Sequence, residues 1–507
     1  MSNSKILSLD QIAQRSNVLR EQGKRVMLCH GTFDLIHIGH IRHLESAKKK
    51  GDVLLVTVTA DQYVNKGPGR PVFNEHLRAE SLAALECVDF VAINHAVTAV
   101  DALHKIKPSV YVKGNEYHSH GDDVTGNIIR EQEAVEVHGG EVFFTDEIIF
   151  SSSSLLNEHF GIFTPDTKCY LKQFRKKWSE KEMHRMIGSL ETINVLVLGD
   201  AIIDQYHYVS PLGKTAKDPV LAVQYETEEQ FAGGSIAVAN HIAAFTKSVT
   251  LVAGLGKTDS HEQFIRTKLK NHVTPVFSYF ENAPTVTKRR FVNSDLAKFF
   301  EVYFFCDEPI LEDAGQKTCQ WLTENLPKYD VVVVADYGNG FVSKEMVQIL
   351  CEKSTFLAVN TQVNSGNRGY HVINRYSRAN FVSLNESELR LAIHNRHASL
   401  EEITEKVAAR VDASFLAVTR GTQGAMMFDA KEKVFHKVPA LSWRVIDRIG
   451  AGDAYLALSA LCLGKGLPAE VAAFVGSVAG AMDVQIICNR ESIDSVALKK
   501  YVSTLLK

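Results

Sequence analysis

The stretch RVMLCHGTFDLIHIGH, residues 25–40, decides the fold of the first part of the chain. Its apolar beginning, residues 25–30, is typical of a β-strand, and the glycine that follows marks a turn. Helical spacing of apolar residues then runs through HIRHLESAKKK, residues 40–50. A strand, a turn and a helix in this order predict the beginning of a parallel α/β sheet.

The same alternation continues and divides the chain into three segments. Further strand-type runs, DVLLVTVTA, DFVAI and SVYVKG, alternate with helical spacing and predict a Rossmann-like α/β domain over residues 1–162. A polar and basic stretch without strand character follows, and we interpret residues 163–190 as a linker. A fresh apolar strand, INVLVLGD, then opens a second, larger α/β domain over residues 191–507.

Composition and charge favour chemistry on small molecules. The chain has 507 residues and a formal net charge of -3, and no basic run dominates, which argues against nucleic acid as a partner. Its 8 cysteines are scattered without a Cys-x-x-Cys pair, as expected in a reducing compartment. The most apolar late region, residues 455–488, is interrupted by charged side chains, so no membrane span is expected. We expect a cytoplasmic protein that binds no membrane and forms a homo-oligomer.

Two histidines, His37 and His40, lie three residues apart at the beginning of the first predicted helix. Free amides at a helix N-terminus and two imidazoles can hold a triphosphate and neutralise the charge that develops on a phosphorus under attack. The spacing alone leaves a second interpretation open, in which both histidines only cap the helix or fill the core.

The whole string, Gly31-Thr32-Phe33-Asp34 and then His37-x-Gly39-His40, resembles the signature of the cytidylyltransferase-like nucleotidyltransferases. Most of residues 25–160 is similar to the adenylyltransferase half of the bifunctional heptose kinase/adenylyltransferases. The resemblance implies that the two histidines are catalytic. It also implies nucleotide-binding roles for Thr32, Phe33, Gly39, Lys113, Ser151, Ser152, Ser153 and Ser154.

Alternatives remain for several of these polar residues. Arg70 and Arg78 lie in matching segments, but each could instead pair with a structural carboxylate. The serine run could be an ordinary helix cap, which is compatible with phosphate binding. The segment HSHGDD, residues 118–123, is interpreted as a solvated loop rather than a transition-metal site, because no spaced partner cluster accompanies it.

A second candidate site lies in IDRIGAGDAYLALSA, residues 446–460. Small residues at Gly450, Ala451 and Gly452 let successive amides approach a transferring phosphoryl group. Asp453 can take the proton of an attacking hydroxyl, which makes it the catalytic residue of choice. Taken alone, the four residues could also form an ordinary tight turn.

The second half resembles the ribokinase-like (PfkB) sugar kinases, because further motifs accompany GAGD in family order: VLVLGDAIIDQY, FAGGSIAVAN, TKRR, ADYGNG and VTRGTQG. The resemblance implies a ribokinase-like domain that uses ATP and Mg2+. It further implies that Asn385 and Glu388 organise the magnesium ion. The nucleotide would be lined by Thr419, Gly421 and Gly424, and the substrate by Asp204, Gly233, Gly234, Lys288, Arg290 and Asp336.

Three departures from that family lie near the second site. Ile449 replaces the threonine usually found before GAGD, and Ala237 replaces an asparagine. Asn360-Thr361-Gln362 replaces an Asp-Pro-Lys turn and leads into an unusual VNSGNRGY, residues 363–370. Such changes are expected to redirect specificity or, in the alternative, to abolish turnover.

These features predict a bifunctional enzyme with a sugar or sugar phosphate and nucleoside triphosphates as its small-molecule partners. The kinase half would use ATP, and the transferase half would use ATP or CTP to make a nucleoside-diphosphate sugar, heptose-like, with release of pyrophosphate. The alternative is a nucleotidyltransferase, such as a polyol-phosphate cytidylyltransferase, whose kinase-like half is a non-catalytic binding or regulatory module.

Overall fold

The computed structural model describes residues 4–64, 70–114, 127–145, 163–306, 312–367, 369–442 and 444–507. The chain forms two compact units, residues 1–164 with 499–507, and residues 165–498. The predicted serines Ser151 to Ser154 and the segment 118–123 lie outside the described residues.

The first unit is built on a parallel sheet of five strands in the order β3-β2-β1-β4-β5. Alternate side chains of β1 enter opposite cores, Met27 and Cys29 on one face and Val26 and Leu28 on the other, so the strand is apolar throughout. The strands are β1 (Val26–Gly31), β2 (Val53–Thr59), β3 (Phe90–Asn94), β4 (Val110–Gly114) and β5 (Glu141–Thr145). The helices are α1 (Leu9–Glu21), α2 (Ile38–Lys48), α3 (Glu75–Ala83), α4 (Val100–Ile106) and α5 (Asn127–Glu136).

The second unit contains a larger mixed sheet. Its strands are β6 (Asn194–Lys214), β7 (Leu221–Gly234), β8 (Ser248–Thr258), β9 (Val273–Pro284), β10 (Val286–Val292), β11 (Lys298–Phe304), β12 (Val331–Asp336), β13 (Leu357–Thr361), β14 (Ala379–Asn385), β15 (Ala413–Thr419), β16 (Ala425–Asp429) and β17 (Val434–Val438). Its helices are α6 (Pro165–Lys177), α7 (Glu180–Gly188), α8 (Ser235–Ala243), α9 (Glu262–Lys268), α10 (Glu312–Asn325), α11 (Lys344–Lys353), α12 (Glu386–Ile393), α13 (Leu400–Arg410), α14 (Ala451–Gly464) and α15 (Ala469–Asp483). The last helix of the chain is α16 (Ser495–Leu506).

The long strand β6 belongs to two parts of this sheet. Its first third, up to Asp200, pairs in parallel with β8 and β12. The rest of the strand pairs with β10 and, in antiparallel register, with β7. The order β6-β12-β13-β14-β15 is parallel throughout, and strand β6 thus carries the chain from this parallel core to a smaller sheet of β7, β6, β10 and β11. The predicted α/β class is confirmed in both units.

The stretch predicted as a linker, residues 163–190, is folded and belongs to the second unit from Pro165 onward. Its amphipathic helices α6 and α7 bury apolar side chains, and the ring of Phe174 stacks on Phe474 of α15 at a centroid distance of 4.2 Å. The linker prediction gave weight to the many charges of this stretch, whereas the apolar stripe on one face of each helix decides the structure. Within the described residues, no helix is both long and apolar enough to span a membrane.

Candidate functional sites

The first candidate site lies where β1 ends and α2 begins. His37 is the N-cap of α2, and its Nδ1 accepts hydrogen bonds from the backbone amides of Gly39 at 3.1 Å and His40 at 3.4 Å. Because Nδ1 is an acceptor, the ring proton lies on Nε2. Burial lowers the pKa of His37, which favours this neutral form. His37 therefore organises the helix N-terminus and also offers a neutral N–H donor.

His40 packs directly on this cap. The rings of His37 and His40 stack with centroids 4.0 Å apart, and the rings of Phe33 and His40 form an edge-to-face pair with centroids 5.4 Å apart. Phe33 has a left-handed backbone conformation, with φ 49, which turns the chain between β1 and α2. The predicted residues Thr32, Phe33, Gly39 and both histidines therefore lie together in one turn.

Lys113 lies near the carboxyl end of β4, at the same edge of the sheet. It comes one residue after Val112, which pairs with Cys29 of β1. Its ammonium group forms a 2.9 Å ion pair with Glu131 of α5, and the hydroxyl of Tyr111 donates to the same carboxylate oxygen at 3.0 Å. These contacts keep the pKa of Glu131 below its usual value despite burial. The partner Glu131 was missed in the sequence because no motif links it to Lys113.

Arg78 has a structural position. Its side chain is fully buried, pairs with Asp61 at 2.5 Å and donates to the backbone carbonyls of Thr59 and Thr32. It thus fixes the carbonyl of Thr32 from behind the turn. Of the two roles that the sequence left open for Arg78, the structure favours carboxylate pairing.

The second candidate site is formed by strand ends at one edge of the parallel core. Strands β12, β13, β14 and β15 end at Asp336, Thr361, Asn385 and Thr419, and parallel strands place their carboxyl ends together. Asn385 and Thr419 are direct neighbours in this register. Ligands of open α/β sheets bind at this edge, so the predicted residues converge where the fold favours a site.

The glycine turn of the second site leads into α14. Gly450 has φ 101 and is the N-cap of α14, and a Cβ there would lie 2.7 Å from Asp483 Oδ2 and from Asn489 Oδ1. Only glycine fits this position. A Cβ at Gly452 would meet no atom within 4 Å, so the first turn of α14 faces open space in this structure. The amides of residues 450–452 can therefore reach an anion.

Asp453 follows in the first turn of α14. Its Oδ1 accepts a 2.6 Å hydrogen bond from the hydroxyl of Tyr337. Loss of solvation, aided by the charge of Asp204, raises the pKa of Asp453 to about 7. A carboxyl group with a pKa near neutrality suits a general base.

A buried charge cluster lies on the smaller sheet beside this carboxylate. Lys288 and Arg290 leave the same face of β10, and Lys288 is in register with Asp204 of β6. Arg290 forms an ion pair with Asp204, and its Nε donates to Glu301 at 2.9 Å. Burial lowers the pKa of Lys288, while Asp204 opposes the shift. Three predicted substrate residues are thereby brought together.

The glycine pair on β7 completes the contact with Asp204. A side chain at Gly233 would collide with the Asp204 carboxylate and would lie 3.3 Å from Asn489 Nδ2. Gly234 has φ 62 and is the N-cap of α8. Asn489 therefore lies against both the Gly233 and the Gly450 segments, and no motif in the sequence marks it.

Asn385 and Glu388 form a capping box at the start of α12. The Glu388 amide donates to Asn385 Oδ1 at 2.9 Å, and the Asn385 amide donates to Glu388 Oε2 at 2.8 Å. Burial raises the pKa of Glu388 to about 7. Amide and carboxylate oxygens are ligands of the kind that Mg2+ takes, but here they already accept backbone hydrogen bonds. They fit a hydrated magnesium ion better than a dehydrated one.

Asp336 is held within the protein. Its carboxylate pairs with His371 at 2.8 Å and Arg375 at 2.9 Å, and it accepts a 2.8 Å hydrogen bond from the hydroxyl of Tyr376. Fully buried and bound by three donors, it is better suited to fixing the end of β12 than to the predicted substrate contact.

The residues predicted to line the nucleotide lie at the end of β15 and on the turn that follows it. Thr419 ends that strand, and Gly421 and Gly424 have φ 55 and 82 in the tight turn that leads to β16. A Cβ at Gly424 would collide with the carbonyl of Val438. Among the described residues, no group of three or more His, Cys, Asp or Glu side chains is arranged to hold a metal ion.

The chain thus consists of two α/β units, and each contains a helix N-terminus that can receive an anion. The chain belongs to the pfkB family carbohydrate kinases, whose family model matches residues 192–492. A Cytidylyltransferase-like family model matches residues 28–158. The cytidylyltransferase-like domain therefore precedes the kinase domain.

Curated relatives match only part of the chain. It is 40% identical over 133 residues to the "Bifunctional protein HldE" of Aliarcobacter butzleri, covering 26% of this chain and 28% of that protein. It is 40% identical over 157 residues to the protein of the same name from Nitrobacter hamburgensis, covering 30% and 31%. The matched part is N-terminal, and the chain spans less than a third of the length of these relatives.

Solved structures resemble the second unit. Phosphofructokinase-2 from Escherichia coli in complex with substrates and products aligns with a TM-score of 0.50 and 15% identity, over 62% of this chain and 100% of that one. The same enzyme in complex with fructose-6-phosphate gives the same values. At this identity the likeness shows the fold alone.

Proposed function

We propose that this chain is a bifunctional enzyme that phosphorylates a sugar or sugar phosphate and couples a sugar phosphate to a nucleotide with release of pyrophosphate. The observation that carries the proposal is the pair of anion-receiving helix N-termini, one in each unit, each with side chains suited to phosphoryl chemistry. At α2 these are His37 and His40, and at α14 it is Asp453.

In the kinase reaction, ATP would supply the phosphoryl group. Asp453 would take the proton of the acceptor hydroxyl, whose oxygen then forms a bond to the γ-phosphorus while the bond to the bridging oxygen breaks and ADP leaves. The amides of residues 450–452 would hold the transferred group. Asn385 and Glu388 would orient hydrated Mg2+, which supplies charge neutralisation on the phosphates.

The acceptor would bind between the smaller sheet and α14. Asp204, Lys288 and Arg290 provide hydrogen-bond donors and acceptors there, and Gly233 leaves room beside the carboxylate. The negative charge of Asp204 and the positive charge of Lys288 both act on the pKa of Asp453, which supports one shared site.

In the transferase reaction, a sugar phosphate oxygen would attack the α-phosphorus of ATP or CTP and pyrophosphate would leave. The Nε2–H of His37 and the ring of His40 would stabilise the charge on the phosphorus under attack. Lys113 and the serines 151–154, which lie outside the described residues, would contribute to binding the nucleotide.

The alternative, a transferase with a non-catalytic kinase-like half, rests on the departures at Ile449, Ala237 and 360–362. The structure gives these residues ordinary places: Ile449 packs on the cluster of Tyr206 and Cys488, and Asn360 donates to the Ser383 carbonyl at 2.8 Å. None of them displaces Asp453. A catalytic second unit is therefore better supported than a non-catalytic one.

The test is a screen of sugars and sugar phosphates with ATP and with CTP, in which ADP and pyrophosphate are both quantified. The proposal expects sugar-dependent ADP release that Asp453→Asn abolishes. It also expects pyrophosphate release that the His37→Ala, His40→Ala double variant abolishes. Wild-type pyrophosphate release without any ADP release would favour the non-catalytic alternative.

A further inference from the structure

The unusual segment that follows β13 folds against the residue that contacts Asp453. The side-chain amide of Asn364 donates to the carbonyl of Tyr337 at 3.0 Å, and that of Asn367 donates to the same carbonyl at 3.3 Å. Asn367 also donates to the Gln362 carbonyl at 2.9 Å, which ties the segment to itself. Both asparagines of VNSGNRGY therefore donate to the same backbone group, the carbonyl of Tyr337.

Tyr337 is held on its other side by β6. Its amide donates to Asp200 Oδ2 at 2.9 Å, and the amide of Asn339 donates to the same oxygen at 3.3 Å. The preceding residue, Asp336, is fixed by its three donors. Because the backbone of Tyr337 is anchored from both sides, the position of its side chain is determined by the fold.

The hydroxyl of this fixed side chain donates a 2.6 Å hydrogen bond to Asp453 Oδ1. Tyr337 is 3% exposed, so its side chain is held in a buried position. A phenol that donates to one carboxylate oxygen fixes the rotation of the carboxylate and leaves the other oxygen to receive a proton.

We propose that Tyr337 is a positioning residue for Asp453: anchored by Asn364 and Asn367, it holds Oδ1 so that Oδ2 takes the proton of the acceptor hydroxyl. This inference rests on the proposed kinase function, and it identifies the residue and the segment that position Asp453, the general base of that reaction. The Tyr337 hydroxyl keeps its own proton throughout, because Oδ2 receives the proton of the acceptor.

The hydrogen bond also bears on the ionisation of the base. Donation from Tyr337 favours the charged carboxylate and so lowers the pKa of Asp453 against the effect of burial. Removing the hydroxyl should therefore raise that pKa. Other charged or titratable groups whose fields act on Asp453 or Tyr337 come from several elements: Asp204 and Asp200 of β6, Lys288 of β10, Glu388 of α12 and Asp483 of α15.

The experiment compares the pH dependence of kcat/KM for ADP release in wild type, Tyr337→Phe and the control Tyr370→Phe. Tyr370 is 95% exposed in the same segment, so its hydroxyl should not matter. If the acid limb moves from about pH 7 to about pH 8, the ionised fraction at pH 7 falls about five-fold and recovers by pH 9. Tyr370→Phe should match wild type throughout.

A merely structural role for Tyr337 would lower the rate equally at every pH and leave the acid limb in place, and that result would overturn the proposal. So would an unchanged profile in Tyr337→Phe. Retention of the thermal transition in Tyr337→Phe checks that the variant folds.

A second measurement separates this inference from the proposed function. In protein labelled with 13C at the aspartate carboxyl carbons, the Asp453 signal is assigned by its loss in Asp453→Asn. Its titration midpoint should be near 7 in wild type and higher in Tyr337→Phe, whether or not a sugar substrate is found. Equal midpoints in the two proteins would refute the contact, whereas absence of ADP release with every sugar would refute only the kinase function.

Discussion

Replacing Asp453 by asparagine should make the second unit more stable at neutral and alkaline pH while it removes kinase turnover. The pKa of this carboxyl group rises from 3.8 in the unfolded chain to about 7 in the folded protein. The folded state therefore binds more protons than the unfolded state between those values. Stability must then fall as pH rises through that window.

The magnitude follows from the size of this difference. About three pKa steps at about 1.4 kcal/mol each give an upper bound of about 4 kcal/mol at pH 8. Asp453 is only partly buried, so screening by solvent reduces the expected gain to about 2 kcal/mol. Asparagine keeps the shape and can still accept the hydrogen bond from Tyr337.

The assay is urea unfolding of wild type and Asp453→Asn at pH 4.5, 6, 7 and 8, followed by a probe of the second unit. The variant should be only slightly more stable than wild type at pH 4.5, with about a quarter of the full difference, and this difference should grow up to about pH 7 and change little above it. Asp412→Asn, on a turn away from the site, is the matched control and should show no such trend. A difference that is constant with pH, or a less stable variant at pH 8, would refute the reasoning.

Three further substitutions test the remaining contacts. His37→Ala should cost about 1 kcal/mol of first-unit stability and at least about 100-fold in pyrophosphate release, whereas His37→Asn should lose the same activity but keep the helix cap; equal stability losses in urea unfolding would contradict the cap. Glu131→Ala should destabilise the first unit by about 3 kcal/mol, and the double variant with Lys113→Ala should lose less than the sum of the single losses; additive losses would contradict the ion pair. Asp204→Asn should raise KM for the sugar at least about 10-fold with little change in KM for ATP, because Arg290 then lacks its buried carboxylate; an equal rise in both would contradict an acceptor role.

Most of the fold could be predicted from local sequence patterns. The strand runs that open each unit are apolar because both faces of a parallel sheet are buried, and this signal survives in a single sequence. The turn from β1 to α2 could also be predicted, because His37, Gly39 and His40 are close together in the chain. The stretch 163–190 was predicted as a linker because of its many charged residues, although its buried apolar residues share a face of each helix.

Contacts between residues that are distant in the chain could not be predicted from the sequence. Glu131 is 18 residues from Lys113, and nothing in either segment marks the pair. Tyr337 follows Asp336 in the motif ADYGNG, but only the fold brings its hydroxyl, after the end of β12, to Asp453 in the first turn of α14. Asp336 was predicted from its motif to contact the substrate. In the structure, three donors of the protein bind its carboxylate.

The central claim is that two independent phosphoryl sites operate on one chain, and the most direct test is a product assay on three full-length proteins: wild type, Asp453→Asn and His37→Asn. Each is incubated with Mg2+, a nucleoside triphosphate and a sugar or sugar phosphate identified by screening, and ADP and pyrophosphate are measured separately. The account predicts that Asp453→Asn loses sugar-dependent ADP release but still releases pyrophosphate when the sugar phosphate is supplied, and that His37→Asn shows the reverse. Loss of both products in either variant, or of neither, would contradict it.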